Sequence, residues 1–283
     1  MTNLKNQIVL NNFIIRTLSG AVFGVVVLGS IWAGAMFVAA MLLVVIVWSM
    51  LEFYNIVIKD RVRTSKFLGI LSGVLIFLGG FFYAQGDVVF GRALFLSLIP
   101  LIVMIFITQL YSNQKNDFRA IAYTITGIIY IAAPVTMLAS LMFIGSAGKY
   151  SHELLLGFLI LLWANDSFAY LTGIIFGRRR LFERISPKKS VEGFIGGLVC
   201  TVGISILTAY FLTIIPYYHW IAIAVIIVVF GVFGDLVESL LKRNLKIKDS
   251  GKFLPGHGGI LDRFDSVFIA APMVFVYLMV FVY

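Results

Sequence analysis

Residues 34–57 read GAMFVAAMLLVVIVWSMLEFYNIV, an apolar run whose one charged side chain is Glu52. An α-helix rises about 1.5 Å per residue, so a run of this length crosses a hydrocarbon core of about 30 Å with its backbone hydrogen bonds satisfied internally. The same pattern recurs outward in both directions. Cutting the apolar stretches at their charges gives spans 17–33, 34–57, 67–84, 92–110, 119–144, 153–176, 191–214, 217–241 and 265–283. The sequence therefore predicts an all-α polytopic integral membrane protein of about nine transmembrane helices. Ser30 to Gly34 marks the turn between the first two, and the first is short.

Composition supports this fold class. Hydrophobic residues are 61% of the 283 positions and charged residues 12%, against about 25% charged in an average soluble domain. Too little polar surface remains to cover a water-soluble globule, so soluble, disordered and disulfide-scaffold classes are excluded. A single cysteine, Cys200, lies in an apolar run and reads as a small core residue. Lys5 and Arg16 in the first eighteen residues, with no small-residue cleavage site behind a short apolar core, read as a retained cytosolic start.

Charge orients the bundle. With the N-terminus inside, all but Arg92 and Lys149 of the 22 basic residues fall on the cytosolic side, as the positive-inside rule requires. The net charge of +9 is explained by this asymmetry. No aromatic-interleaved basic face is left over, so no nucleic-acid partner is expected. Glycine pairs at GxxxG spacing (Gly20 and Gly24, Gly173 and Gly177, Gly193 and Gly197) read as close helix packing. Residues 1–150 form the N-terminal spans, about five of them. Residues 151–283 form a C-terminal catalytic region with cytosolic loops 177–193 and 242–266.

Acidic residues inside spans are candidates for function because burying an unpaired charge is costly. Glu52, Asp60, Asp87, Asp117, Glu153 and Glu183 fall at helix ends or in loops and read as solvated charges. Asp166 lies mid-helix in WANDSFAYLTG, and Asp235 and Glu238 lie deep in the eighth span. Asp235, Glu238, Ser239 and Lys242 are spaced i, i+3, i+4, i+7 and form one polar stripe. Such a stripe is either a buried ion-pair ladder or the wall of a site.

The loop that follows favours a site. From Asn244 to Ser266 it reads NLKIKDSGKFLPGHGGILDRFDS, glycine-rich and carrying both signs of charge. Asp262 and Asp265, spaced i, i+3 at the mouth of the last helix, share a face. Carboxylates converging from two helix ends, with no Cys or His cluster, describe a site for a hard cation such as Mg²⁺. His257 reads as a loop or phosphate hydrogen-bonder. In the other cytosolic loop, GRRRLFERISPKKSVEG, Arg178 to Arg180 read as a topological anchor or an anionic-lipid patch. Ser186, Lys188, Lys189 and Ser190 stand just before a helix N-terminus, where backbone donors and the dipole favour phosphate. Acids for Mg²⁺ and bases for phosphate on one leaflet imply phosphoryl or nucleotidyl transfer to a lipid. A P-loop is excluded, because Lys246 stands where the first glycine belongs and Phe253 where the Ser/Thr belongs.

Ser239, Lys242, Arg243, Lys248, Asp249, Gly251, Leu254, Pro255, His257, Gly258, Gly259, Asp262, Arg263 and Asp265 match, at fixed spacing, the signature of the phosphatidate cytidylyltransferases (CDP-diacylglycerol synthases). Asp166, Ala169, Tyr170, Gly173, the run Ser186 to Ser190, and Glu192-Gly193 resemble the family's second block. The resemblance covers roughly 160–266 closely. The N-terminal spans match only as hydrophobic helices. Ser190 stands where many members have threonine, which keeps the hydroxyl.

This resemblance implies transfer of a cytidylyl group from CTP to phosphatidic acid at the cytosolic face of the cell membrane, giving CDP-diacylglycerol and pyrophosphate. It implies Asp235 and Asp262 as ligands of a centre that holds Mg²⁺, with K⁺ as a further monovalent cation, and a homodimer in the lipid bilayer. Lys242, Lys248, Asp249 and Asp265 take catalytic roles; Asp166, Ser186, Lys188, Lys189, Ser190, Ser239, Arg243, His257 and Arg263 are the expected substrate contacts. The rival readings are another CTP-dependent lipid enzyme (a polyprenol kinase or an archaeol-type cytidylyltransferase) and an anion or lipid transporter.

Overall fold

The computed structural model describes residues 2–58, 65–111, 117–247, 249–251 and 258–283, with side chains over 18–57, 65–111, 118–247, 249–251 and 258–283. Among the described residues, eight helices are long and apolar enough to cross a membrane. The first of the nine expected spans is the shorter apolar stretch Leu18–Ala33, the end of helix α1 (Thr2–Ala33). Gly34 separates it from α2 (Ala35–Ile58) with φ +112, a backbone conformation that glycine adopts without penalty.

The remaining N-terminal helices are α3 (Lys66–Gln85), α4 (Val88–Leu96), α5 (Leu98–Leu110), α6 (Asp117–Gly127) and α7 (Ala133–Ser140). Helices α4 and α5 make one span, Val88–Leu110, which starts earlier than the expected 92 and breaks at Ser97. Asp87, exposed at the helix end as expected, also caps α4 by accepting the Phe90 amide at 3.1 Å. Between α6 and α7, residues Ile128–Ala132 wind as a π-helix. Pro134 supplies the cause: it has no N–H for the Tyr130 carbonyl, so the regular ladder cannot run through this turn.

The C-terminal half comprises α8 (Glu153–Phe176), strands β1 (Arg180–Phe182) and β2 (Ser186–Ser190), α9 (Val191–Phe211), α10 (Tyr217–Asn244) and α11 (Leu261–Phe281). The segment 177–193, expected as a loop, folds as an antiparallel hairpin pairing Arg180 with Ser190 and Phe182 with Ser186. Helix α8 packs on α9, and α10 on both α9 and α11. Helix α11 also packs on α2 and α7, which joins the two halves of the chain. The last two spans are longer at their cytosol-assigned ends than expected, reaching Asn244 and beginning at Leu261. Asp262 and Asp265 consequently sit on the first turns of α11 itself.

Small residues set the closest approaches. Gly193 lies against the Ala169 carbonyl and Gly197 against the Ala169 side chain, so the glycine pairs of α8 and α9 do lie at a helix interface. Gly24 does not: a Cβ there would meet nothing within 4 Å. Gly69 and Gly127 leave room for Tyr54, whose hydroxyl donates to the Thr124 carbonyl at 2.9 Å and ties α2 to α3 and α6.

Candidate functional site

Helix α10 brings its polar stripe to face the first turns of α11. The carboxylates of Asp235, Glu238 and Asp265 come within 4.8 Å of one another, the one such group of acidic, His or Cys side chains among the described residues. Carboxylates this close repel one another unless a cation or proton lies among them. Two lysines supply part of the balance. Lys189 reaches from β2 to form an ion pair with Asp235. Lys242 stands one turn beyond Glu238 and contacts its Oε2 at 2.8 Å, and Asp262 Oδ1 at 2.9 Å.

Glu238 is fully buried, and its Oε1 has no hydrogen-bond partner among the described residues. A buried acceptor left unpaired costs free energy, so this oxygen is one that a bound cation would satisfy. The donor set is oxygen only, which suits a hard divalent cation better than zinc. The residues present thus fit the divalent ion expected from the sequence.

Asp262 is placed differently. Its Oδ1 takes Lys242, and its Oδ2 accepts the amides of Ser250 at 3.0 Å and Gly259 at 2.9 Å. It lies against Glu238 as well as Lys242, at the edge of the three-carboxylate group, and ties Ser250 to Gly259. The tightest group in the structure is Asp235, Glu238 and Asp265; Asp262, which the family resemblance pairs with Asp235, adjoins it through Glu238 and Lys242.

Beside this acid group lies a cavity of about 450 Å³, bounded by α8, the hairpin, the start of α9, and the Gly231 and Ser266 turns of α10 and α11. Asp166, Lys188, Lys189 and Ser190 line it, as do the apolar Tyr170, Ile174, Leu181 and Phe194. Lys188 is exposed and Lys189 half-buried. Ser190 is buried and caps α9 by accepting the Gly193 amide at 3.1 Å. Glu192 accepts the amides of Arg178 at 2.9 Å and Arg179 at 3.1 Å, which holds the entry to the hairpin against α9.

The other expected site residues scatter around this core. Arg243, exposed, reaches from the end of α10 to the Ile185 carbonyl at the hairpin turn. Ser186 and Ser239 are half-buried and do not line the cavity. Arg263 and Asp249 are exposed. Lys248 and His257 lie outside the described residues.

Three residues at or near the acid group are not singled out by the sequence. Glu238 is part of the polar stripe, but helical spacing alone assigns it no role. Tyr130, on the π-helical turn, has a buried hydroxyl with no hydrogen-bond partner among the described residues, and it lies within electrostatic reach of Glu238, Asp265 and Asp235. Its signal was Pro134, four residues on. Glu52, read as a solvated helix end, is 7% exposed and accepts the Leu261 amide at 2.9 Å. Only its solitude in an apolar span hinted at this.

Comparison with known proteins supports the same chemistry. The model of the cytidylyltransferase family matches residues 14–281. A phosphatidate cytidylyltransferase of Staphylococcus haemolyticus (strain JCSC1435) is 36% identical over 182 residues, 63% of this chain and 68% of that one. One from Bacillus subtilis (strain 168) is 35% identical over 202 residues, 71% of this chain and 72% of that one. One from Staphylococcus saprophyticus subsp. saprophyticus is 38% identical over 182 residues, 63% and 68% of the two chains.

Proposed function

The chain belongs to the cytidylyltransferase family, and from that premise we propose that it transfers the cytidylyl group of CTP to phosphatidic acid, giving CDP-diacylglycerol and pyrophosphate. The observation that carries this reading is the meeting of Asp235, Glu238 and Asp265 beside a cavity lined by Lys188 and Lys189. We assign the site to the cytosolic face because nearly all the basic residues flank that side of the spans. A homodimer, which the family resemblance implies, is part of the same proposal.

In the reaction, an oxygen of the lipid phosphate attacks the α-phosphorus of CTP. The new phosphorus–oxygen bond forms as the bond to the bridging oxygen breaks, and pyrophosphate leaves with that electron pair. A phosphate monoester has a second pKa of about 6, so the nucleophile is mostly ionised at neutral pH and needs no strong base. The obstacle is repulsion between two anions, about 4 kcal/mol per unit charge pair at ~4 Å and an effective dielectric of 20.

Asp235, Glu238 and Asp265 would hold Mg²⁺, which when bound supplies positive charge to the phosphates. The chain's own residues do the rest. Lys188 and Lys189 take phosphate oxygens at the cavity wall, and the N-terminus of α9 adds backbone donors and its dipole. Lys242, fixed between Glu238 and Asp262, keeps a cation beside the acids. Tyr170, Ile174 and Phe194 give the cavity an apolar side, on which Tyr170 and Ile174 are exposed, suited to a lipid acceptor.

The test is pyrophosphate release by purified protein in detergent with CTP, Mg²⁺ and phosphatidate, each omitted in turn. Release should require all three, and label from the α-phosphate of CTP should appear in the lipid. Label transferred from the γ-phosphate would identify a kinase instead.

A further inference from the structure

The amide of Leu261, the first residue of α11, donates to Glu52 Oε2 at 2.9 Å, and the Ser250 hydroxyl donates to the same oxygen at 3.4 Å. At the N-cap of α11, Ile260 provides no side-chain hydrogen bond. The first amides of any helix lack partners within it, and here one of them is taken by a carboxylate from a different span. The dipole of α11 favours a negative charge at that place. The fit is close: a Cβ added at Gly251 or at Gly259 would collide with the Glu52 carboxylate. Burying a carboxylate in a span is costly, and crossing a bilayer gives no reason to keep one.

We propose that Glu52 is a positioning residue for the transfer reaction: by capping α11 from α2, it fixes the rotation and depth of the helix that carries Asp262 and Asp265. Ser250 and Gly259 are then held from both sides, since their amides bind Asp262 while the Ser250 hydroxyl and the Gly259 backbone rest on Glu52. The N-terminal half thus completes a site whose reacting groups all lie in the C-terminal half. This inference rests on the cytidylyl-transfer reading for its kinetic consequence, but its structural consequence can be read without any substrate.

The experiment compares wild type, Glu52→Gln, Glu52→Ala, Gly251→Ala and the double variant Glu52→Ala/Gly251→Ala, each as the full chain in detergent. Amide exchange over 261–265 and pyrophosphate release are measured on the same preparations. Glu52→Gln keeps an oxygen where Oε2 stands, so exchange and kcat should stay within about threefold of wild type. Glu52→Ala should speed exchange in the first turn of α11 by about tenfold, the loss of one helix cap. It should also lower kcat at least about tenfold and raise the Mg²⁺ half-saturation, with the CTP KM within about threefold because the hairpin lysines are untouched. Gly251→Ala should impair turnover alone and add nothing to Glu52→Ala, since the carboxylate it strikes is gone.

Unchanged exchange at α11 in Glu52→Ala overturns the inference, as does an additive double variant, or a Glu52→Gln as impaired as Glu52→Ala. If Glu52→Ala does not fold, the decision passes to the other two single variants: an impaired Glu52→Gln or an unimpaired Gly251→Ala overturns it. A wild type that releases no pyrophosphate sinks the cytidylyl-transfer reading and leaves the exchange comparison to decide the cap.

Discussion

Lys189, on the second strand of the hairpin, forms an ion pair with Asp235, on α10. The contact links the cavity wall to the acid group and puts an ammonium where Asp235 would meet a divalent ion. Under the proposed function, lysine and metal would compete for one carboxylate, and a bound metal would leave the lysine free for phosphate. Lys189→Met should raise the CTP KM by about tenfold, the worth of one charge-assisted contact, while lowering the Mg²⁺ concentration needed for half-maximal rate. Steady-state kinetics at varied CTP and Mg²⁺ check this; an unchanged CTP KM would remove Lys189 from the nucleotide site.

Glu238→Gln and Asp265→Asn each remove a charge from the three-carboxylate group at constant shape. Turnover should fall by about a thousandfold, the cost expected if each carboxylate holds the metal in the transition state, while membrane insertion holds; Glu238→Gln should also lower the melting temperature, because it breaks the pair with Lys242. A variant of either kind with near-normal kcat would place the ion elsewhere.

Lys242→Ala leaves the buried Glu238 and the nearly buried Asp262 without their shared cation, whose side chain is only 16% exposed. Breaking such a pair costs about 3 kcal/mol, so the melting temperature in detergent should drop. Lys242→Ala/Glu238→Ala should recover part of the drop, because one of the stranded charges is gone. Additive losses would show that the pair is not coupled.

Ser190 separates two roles that the sequence could not. Its hydroxyl accepts the Gly193 amide and faces the cavity. If capping is its main task, Ser190→Ala lowers stability by about 1 kcal/mol with little change in the CTP KM. A raised KM at unchanged stability would make it a phosphate contact.

Much of this arrangement was legible in the sequence because it is written in local patterns. The spans follow from apolar runs cut by charges, and the turn at Gly34 from a glycine among small residues. Asp235, Glu238 and Lys242 share a face because helical periodicity requires it. That Asp265 comes nearer to Asp235 than Asp262 does is not legible in the sequence. Both are half-buried and share a face at the start of α11, and only the packing of α10 on α11 sets how near each comes to Asp235. The hairpin was read as loop because Lys188 and Lys189 are both charged, so no alternation of apolar residues announces a strand. Glu52 was misread for a related reason: a carboxylate near a helix end is usually solvated, and the group that buries it comes from the far end of the chain.

The most direct measurement is anomalous diffraction from crystals of the protein soaked in Mn²⁺, which takes the same oxygen ligands as Mg²⁺. A peak enclosed by the carboxylates of Asp235, Glu238 and Asp265, lost in Glu238→Gln, is the expected result. A peak away from these three residues, or none at a concentration that supports full turnover, would contradict a divalent ion held jointly by α10 and α11.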